Sequence, residues 1–217
     1  MAEQSKVNQT LLRLSAYCGF AAPIVFIVAL IIFGWLHPDY SHVSDLVSVL
    51  SAREAPYEVY MNWLGIIPFG TLILLFSFSY VSAHLPGFAG WASAACFTIV
   101  GFLFILAGLY VCDPGCDLTD PTPEAVIHNL TALGAFVFAT TGAILISTRV
   151  RLKDDKRRGY YIRALICALG MMGGLIGLGI VGEHGALVGL VQRIFLGFVW
   201  AFLIISAMNI LQWQNEK

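Results

Sequence analysis

A chain of 217 residues, of which 59% are hydrophobic and only 12% charged, is too apolar for an ordinary water-soluble domain. Its formal net charge of −1 provides no basic surface for a nucleic acid, which would require lysines and arginines clustered on one face. Composition therefore excludes a nucleic-acid partner and indicates a protein whose solvent is largely lipid.

Six apolar stretches are each about 20 residues long, the length that a helix needs to cross the hydrocarbon core of a bilayer. They predict an all-α membrane protein, a bundle of six transmembrane helices over residues 16–35, 62–80, 91–111, 127–147, 161–181 and 187–210. Five spans are the alternative, if one short connection only re-enters the membrane. We expect one domain over residues 1–217, because neither side of the basic connection 149–158 could bury its faces alone.

The basic residues predict the orientation, because Lys and Arg near the ends of spans are retained on the cytoplasmic side during insertion. With the N-terminus inside, ten basic residues lie on the inner side, and only Arg53 and Arg193 lie on the outer side. Nine of the 13 acidic residues lie outside. The sequence therefore predicts cytoplasmic N- and C-termini and an acidic outer face.

The first outer connection, residues 38–50, is polar and too short to cross the membrane. At about 100° per residue it forms an amphipathic pattern, which predicts a helix lying at the outer interface. His42 and Asp45, three residues apart, share its polar side. Its apolar side consists of Val43, Leu46, Val47 and Leu50. The segment is either a solvated lid or the element that presents His42 and Asp45 to a pocket.

In the second outer connection, Cys112 and Cys116 bracket Asp113 and a Pro-Gly turn. Such a turn allows a disulfide across it, and an oxidising outer compartment favours one. A zinc site is the first alternative, but it normally needs a second pair of cysteines or histidines. Redox catalysis is the second alternative, but it usually employs C-x-x-C.

Further polar residues are expected at the same face. His128 opens the fourth predicted span, and Glu183 and His184 form the tip of the last outer connection. Gln192 and Arg193 lie about six residues into the last span, or roughly 9 Å deep at 1.5 Å per residue. A charge at that depth is costly unless it is paired or reaches water. Arg193 is therefore either a site residue with a carboxylate or headgroup partner, or a side chain that snorkels to the interface.

Other features limit the classes of function. The predicted spans contain no lysine for a retinal Schiff base and no mid-membrane histidine for a b-type haem. In the fifth span, Gly170-x-x-x-Gly174 and Gly173-x-x-x-Gly177 predict close helix packing, with a mobile gating helix as the alternative. The chain has no internal repeat, which makes a transporter less favoured than the functions considered below.

Four short motifs carry a family resemblance: Tyr40-Ser41-His42, Cys112-Asp113-Pro114-Gly115-Cys116, His128-Asn129 and Gln192-Arg193. With these motifs, most of the chain resembles a prokaryotic family of six-span proteins catalogued as domain of unknown function 998. That family is loosely similar in layout to eukaryotic membrane proteins of the Frag and DRAM type, some of which are linked to lipid remodelling. The resemblance implies a multi-pass protein of a prokaryotic inner or plasma membrane in which these polar residues matter, but it implies no reaction.

The topology delivers all of these segments to one membrane face, so the leading hypothesis is a polar cavity that binds a lipid or amphiphile headgroup. Its binding residues would be Asp113, Glu183, His184, Gln192 and Arg193. A membrane-embedded hydrolase of a lipid ester or phosphate bond is an alternative, in which His42, Asp45 and His128 hold a divalent metal or activate water. An accessory or assembly subunit, bound to a membrane-protein partner or a second copy, is another. The sequence leaves open whether the chain is an enzyme.

Overall fold

A computed structural model describes residues 2–82, 88–151, 157–182 and 185–215. Six of its helices are long and apolar enough to cross a membrane, and the described residues contain no strand. The prediction of an all-α protein with six spans is thus confirmed, and the five-span alternative has no support.

The helices extend somewhat beyond most of the predicted spans. α1 begins at Ala2 rather than at residue 16, because a polar N-terminal stretch continues the helix before its apolar part. The second span contains a π-helical turn, Asn62–Ile66, between α2 and α3. The helices are α1 (Ala2–Leu36), α2 (Glu58–Met61), α3 (Ile67–Ser82), α4 (Phe88–Leu109), α5 (Pro123–Ser147), α6 (Arg158–Val181) and α7 (Val188–Asn215).

The spans pack in chain order as a closed ring, in which α1 contacts α3, each later helix contacts the next, and α7 returns to α1. Buried aromatic rings fill the inside of the ring. Phe69 lies 4.7 Å from Phe26 and 4.8 Å from Phe104, measured between ring centroids, and Phe97 stacks on Phe202 at 4.8 Å. In lipid such close packing, rather than the hydrophobic effect, holds helices together.

Three glycines of α6 lie against α7. A Cβ atom added to Gly170 would lie 2.4 Å from the Phe198 ring, and one added to Gly174 would lie 2.8 Å from the Cβ of Phe195. Gly177 approaches α7 in the same way, whereas a Cβ on Gly173 would meet open space. Most of the glycine pattern therefore serves tight packing inside the bundle, as the small-residue motifs predict.

The connections that hold most of the acidic residues meet at one end of the ring. Arg53 donates its backbone N–H to the carbonyl of Cys112 at 2.9 Å and forms a 2.6 Å ion pair with Glu124. The backbone N–H of Leu190 donates to the carbonyl of Val43 at 2.9 Å. Residues 37–57, 110–122 and 185–187 together are called the acidic end below. The opposite end, where Arg157 stacks over Trp213 at 5.3 Å, is called the basic end.

Residues 37–57, the first connection, do not form the amphipathic helix expected over 38–50. Turns occupy residues 38–39 and 42–44, and one 3-10 helix follows at Val47–Ser51. The Asp45 carboxylate accepts the N–H of Ser41 at 2.7 Å, and the Ser41 hydroxyl accepts the N–H groups of Val43 and Ser44. These side-chain bonds occupy backbone donors in a local turn and so compete with a continuous helix.

Candidate functional site

Arg193 fixes the first connection onto the start of α7. Its Nη1 donates to the carbonyl oxygens of Asp45 at 2.9 Å and Gly189 at 2.8 Å, and its Nη2 donates to the Tyr40 hydroxyl. The guanidinium carbon lies 5.5 Å from the centre of the Tyr40 ring, a cation–π contact. The Tyr40 hydroxyl in turn donates to the carbonyl of Leu46 at 3.2 Å. Among the described residues, the partners of Arg193 are thus carbonyls and a hydroxyl rather than a carboxylate, which was one of the two kinds of partner expected from the sequence.

Two neighbours of Arg193 complete the attachment. The Oε1 atom of Gln192 accepts the N–H of Val47 at 2.6 Å. Leu190, whose N–H is one of the unpaired donors at the start of a helix, bonds to the connection instead. At Gly189 a Cβ would lie only 2.3 Å from the carbonyl oxygen of Asp45. A residue without a side chain is required there because the connection runs directly over the helix.

A groove of about 310 Å³ opens at the acidic end, between all three of its segments. Among the described residues that line it, Asp45 is the only charged one. Its carboxylate accepts the N–H of Ser41 and the hydroxyl of Ser44, at 2.7 Å and 3.1 Å. An ionised carboxylate has about four lone-pair sites, so this one retains capacity for a ligand. The lining residues are Ser44, Asp45, Leu46, Val49, Gly115, Gly185 and Ala186; we call this the Asp45 groove.

The electrostatics around Tyr40 and His42 follow from burial and from Arg193. Burial raises the pKa of Tyr40 to about 12, against the opposing charge and hydrogen bond of Arg193, so its phenol stays protonated. Partial burial, followed by the charge of Arg193, lowers the pKa of His42. The His42 ring packs on Gly34 of α1, where a Cβ would lie 2.5 Å from its Cε1 atom. His42 is therefore a neutral ring at physiological pH, placed against α1.

Cys112 and Cys116 form a disulfide, as the Pro-Gly turn predicts. Both residues are buried and pack with Ala52 and Ala125. Gly115, with φ of +69°, and Cys116, with φ of +56°, provide the left-handed backbone that closes so short a loop. The disulfide thereby holds Gly115 in the wall of the Asp45 groove.

Asp113 has a positioning role at the start of α5. Its carboxylate accepts the backbone N–H of Thr122 at 2.7 Å and the Thr122 hydroxyl at 2.9 Å, while the Thr122 hydroxyl accepts the N–H of Ala125 and caps α5. The N–H of Thr122 is the main cause that lowers the pKa of Asp113; the Thr122 hydroxyl and the charge of Arg53 act in the same direction, and burial opposes them. Asp113 does not line the Asp45 groove.

His128 lies in a separate, smaller space behind the 3-10 helix. It is only 2% exposed, and its Nδ1 lies 2.8 Å from the carbonyl oxygens of both Ala107 and Tyr110 at the end of α4. Together with Ser48 and Gln192 it lines a cavity of about 50 Å³, called the His128 cavity below.

The structure thus brings some of the expected site residues together and separates others. Asp45, Gln192 and Arg193 meet where α7 begins, and His42 lies near enough for the charge of Arg193 to act on it, although its ring packs on Gly34 of α1. His128 is separate, because it is hydrogen-bonded to carbonyls at the end of α4. The described part of the chain holds no group of three or more His, Cys, Asp or Glu side chains suited to a metal ion. Glu183 and His184, also expected at the site, lie outside the described residues.

Two residues important to this geometry escaped the sequence reasoning. Tyr40 belongs to one of the family motifs, but the sequence alone assigns it no role. The available signal is that a tyrosine and an intramembrane arginine are expected at the same membrane face, where they can form a cation–π pair. Gly189 carries no signal, because only the path of the first connection makes a side chain impossible there.

A ring of six apolar helices, with a disulfide-tied and hydrogen-bonded set of connections at one end, defines a multi-pass membrane protein. The chain belongs to a family of proteins of unknown function, DUF998, whose model matches residues 20–209. No curated protein and no solved structure matches the chain. The match runs from α1 into α7 and so includes every segment of the acidic end.

Proposed function

We propose that the acidic end faces the cell exterior and that the Asp45 groove binds the ammonium-bearing headgroup of an outer-leaflet amphiphile. The orientation rests on the ten basic residues assigned to the other side. The observation that carries the binding proposal is a groove of about 310 Å³ in which Asp45 is the one charged residue among the described residues of the lining. Its volume lies at the lower limit of small-molecule sites, which suits a headgroup better than a whole lipid.

The sign of the charge favours a cation. Both Nη atoms of Arg193 are engaged by protein acceptors, and its Nε is buried, with no hydrogen-bond partner among the described residues. Arg193 is also not among the described residues that line the groove, so its remaining N–H donors are not placed to bind a phosphate there. Asp45 is half-buried, and a carboxylate there attracts an ammonium group more strongly than it would in bulk water.

The binding test compares two short-chain lipids on the purified full-length protein in detergent. Dihexanoyl phosphatidylethanolamine carries the ammonium group, and dihexanoyl phosphatidylglycerol has the same chains without it. We expect tighter binding of the first by native mass spectrometry. Asp45→Asn should weaken this binding roughly tenfold to a hundredfold, because a hydrogen bond to a charged group contributes about 1.5–3 kcal/mol.

Asp120→Asn is the matched control, since Asp120 is an exposed acid of the same end that does not line the groove. Asn at position 45 retains an oxygen for the Ser41 N–H, so the turn should survive. Equal affinity for the two lipids, or an unchanged affinity in Asp45→Asn with a normal Asp120→Asn, would refute the proposal.

A further inference from the structure

The His128 cavity is distinct from the Asp45 groove and has a different chemistry. Most of its wall is apolar and comes from residues such as Phe26, Phe104 and Phe136. His128 and Gln192 are buried polar residues of the same wall, at 2% and 8% exposure. Buried polar groups are nearly always hydrogen-bonded, so the bonding of these two side chains can be followed atom by atom.

The tautomer of His128 follows from its contacts. Nδ1 lies 2.8 Å from two carbonyl oxygens, which accept hydrogen bonds but cannot donate them, so Nδ1 carries the hydrogen. Burial in an apolar wall disfavours a charged ring, and Nε2 therefore has a free lone pair. No described residue donates a hydrogen bond to Nε2, which points away from α4 because Nδ1 faces it.

The orientation of the Gln192 amide is fixed in the same way. The Val47 N–H needs an acceptor, so the atom 2.6 Å from it is the Oε1 oxygen and not the nitrogen. The amide NH₂ group is then left as a donor, and none of the described residues accepts from it. One wall of the cavity thus offers an acceptor on α5 and another offers a donor on α7.

We propose that the His128 cavity is an internal binding site for a small uncharged molecule that both donates and accepts hydrogen bonds. The molecule would donate to Nε2 of His128 and accept from the Gln192 amide, while the phenylalanine rings exclude ions. A space of about 50 Å³ has room for roughly three to five water-sized groups, at about 10–15 Å³ each. Water and a small primary amide share this chemistry.

The test uses the full-length protein in detergent with ¹⁵N-labelled histidine. The Nε2 resonance of His128 should report an accepted hydrogen bond and either a contact to long-lived water or a saturable shift on addition of acetamide. A water contact without an acetamide shift identifies the resident as water, and a saturable shift identifies a site for small amides. N,N-dimethylacetamide, which has no N–H donor, should cause no shift at Nε2.

A substitution that fills the His128 cavity provides a second test. Ala132 lies one turn after His128 on α5 and lines the cavity, so Ala132→Leu should abolish both the water contact and the acetamide shift. Ala95→Leu places the same side chain on an exposed position of α4 and should leave both unchanged. An Nε2 resonance of a free acceptor, with no water contact and no response to acetamide in the wild-type protein, overturns the proposal without any variant.

Discussion

Arg193 is a partly buried cation whose charge is stabilised by dipoles. Its acceptors are the carbonyls of Asp45 and Gly189 and the hydroxyl of Tyr40, three atoms arranged around one planar group. A lysine has a compact ammonium group in place of the forked guanidinium and cannot donate to all three of these acceptors in the same arrangement. The depth of Arg193 in the last apolar stretch predicts that it needs a partner. Its actual partners could not be predicted, because they depend on how a connection about 150 residues earlier folds over α7.

Asp113 provides a test at the level of one carboxylate. Its pKa lies below the ordinary value of 3.8, so its contribution to stability is present above that pH and is lost as the pH falls through the folded-state pKa. Asp113→Asn should therefore lower the thermal unfolding midpoint at about pH 7, and the difference from wild type should shrink below about pH 4. Thermal unfolding in detergent across this pH range measures the difference between the two midpoints.

The control for that experiment is Asp120→Asn, an exposed acid a few residues further along the same connection. It should show no comparable loss at neutral pH. A gap between wild type and Asp113→Asn that stays constant down to about pH 3 would contradict the assignment of the bonds to the ionised carboxylate.

At the scale of elements, the helices were predictable and the first connection was not. Long apolar runs specify spans because lipid leaves the backbone no other partner, and this holds whatever the neighbours do. The first connection has an amphipathic pattern, yet Ser41 and Asp45 use their side chains to close a turn. Of the four residues on the apolar side of the pattern, Val47 and Leu50 are buried, whereas Val43 is 46% exposed. Periodicity thus indicated part of the buried side but not the local conformation.

The packing of α6 on α7 gives a matched pair of substitutions. Gly174→Ala would place a Cβ 2.8 Å from the Cβ and 3.1 Å from the Cα of Phe195, atoms that cannot move without shifting the helix. We expect a loss of about 1–3 kcal/mol in unfolding free energy, the usual cost of overpacking. Gly173→Ala, at the adjacent position with open space, should cause no loss. Thermal unfolding in detergent measures the difference between the two variants. Equal unfolding midpoints would mean that α6 does not pack on α7 in this way.

At the scale of the molecule, the order of helices in the ring follows from short connections. The contact between the three connections of the acidic end does not follow from any single motif. Consecutive spans with short links pack as neighbours, which accounts for most contacts in the ring. Closure between α1 and α7 brings the first connection to the last helix. The Asp45 groove arises from that closure, so residue patterns indicated which end was polar but could not outline the groove.

The orientation is tested with single cysteines in a chain whose three free cysteines, Cys18, Cys96 and Cys167, are replaced by alanine. Asp120→Cys should react with a membrane-impermeant maleimide on intact cells, because the acidic end faces outward. Arg158→Cys should react only after lysis, since it lies at the basic end. The Cys112–Cys116 disulfide remains in place and does not react. Labelling of both positions on intact cells would exclude this orientation of the six spans.

The attachment of the first connection to α7 has a consequence for biogenesis. The bond between Arg193 and the Asp45 carbonyl joins residues 148 positions apart, and the donor belongs to the final span. A nascent chain that has inserted five spans already contains Tyr40, Asp45 and the disulfide loop, but it lacks Gly189, Gln192 and Arg193, which hold the first connection in place. The first connection is therefore held in place only after α7 has been synthesised, so a chain terminated before α7 retains five of the six spans but not the assembled site.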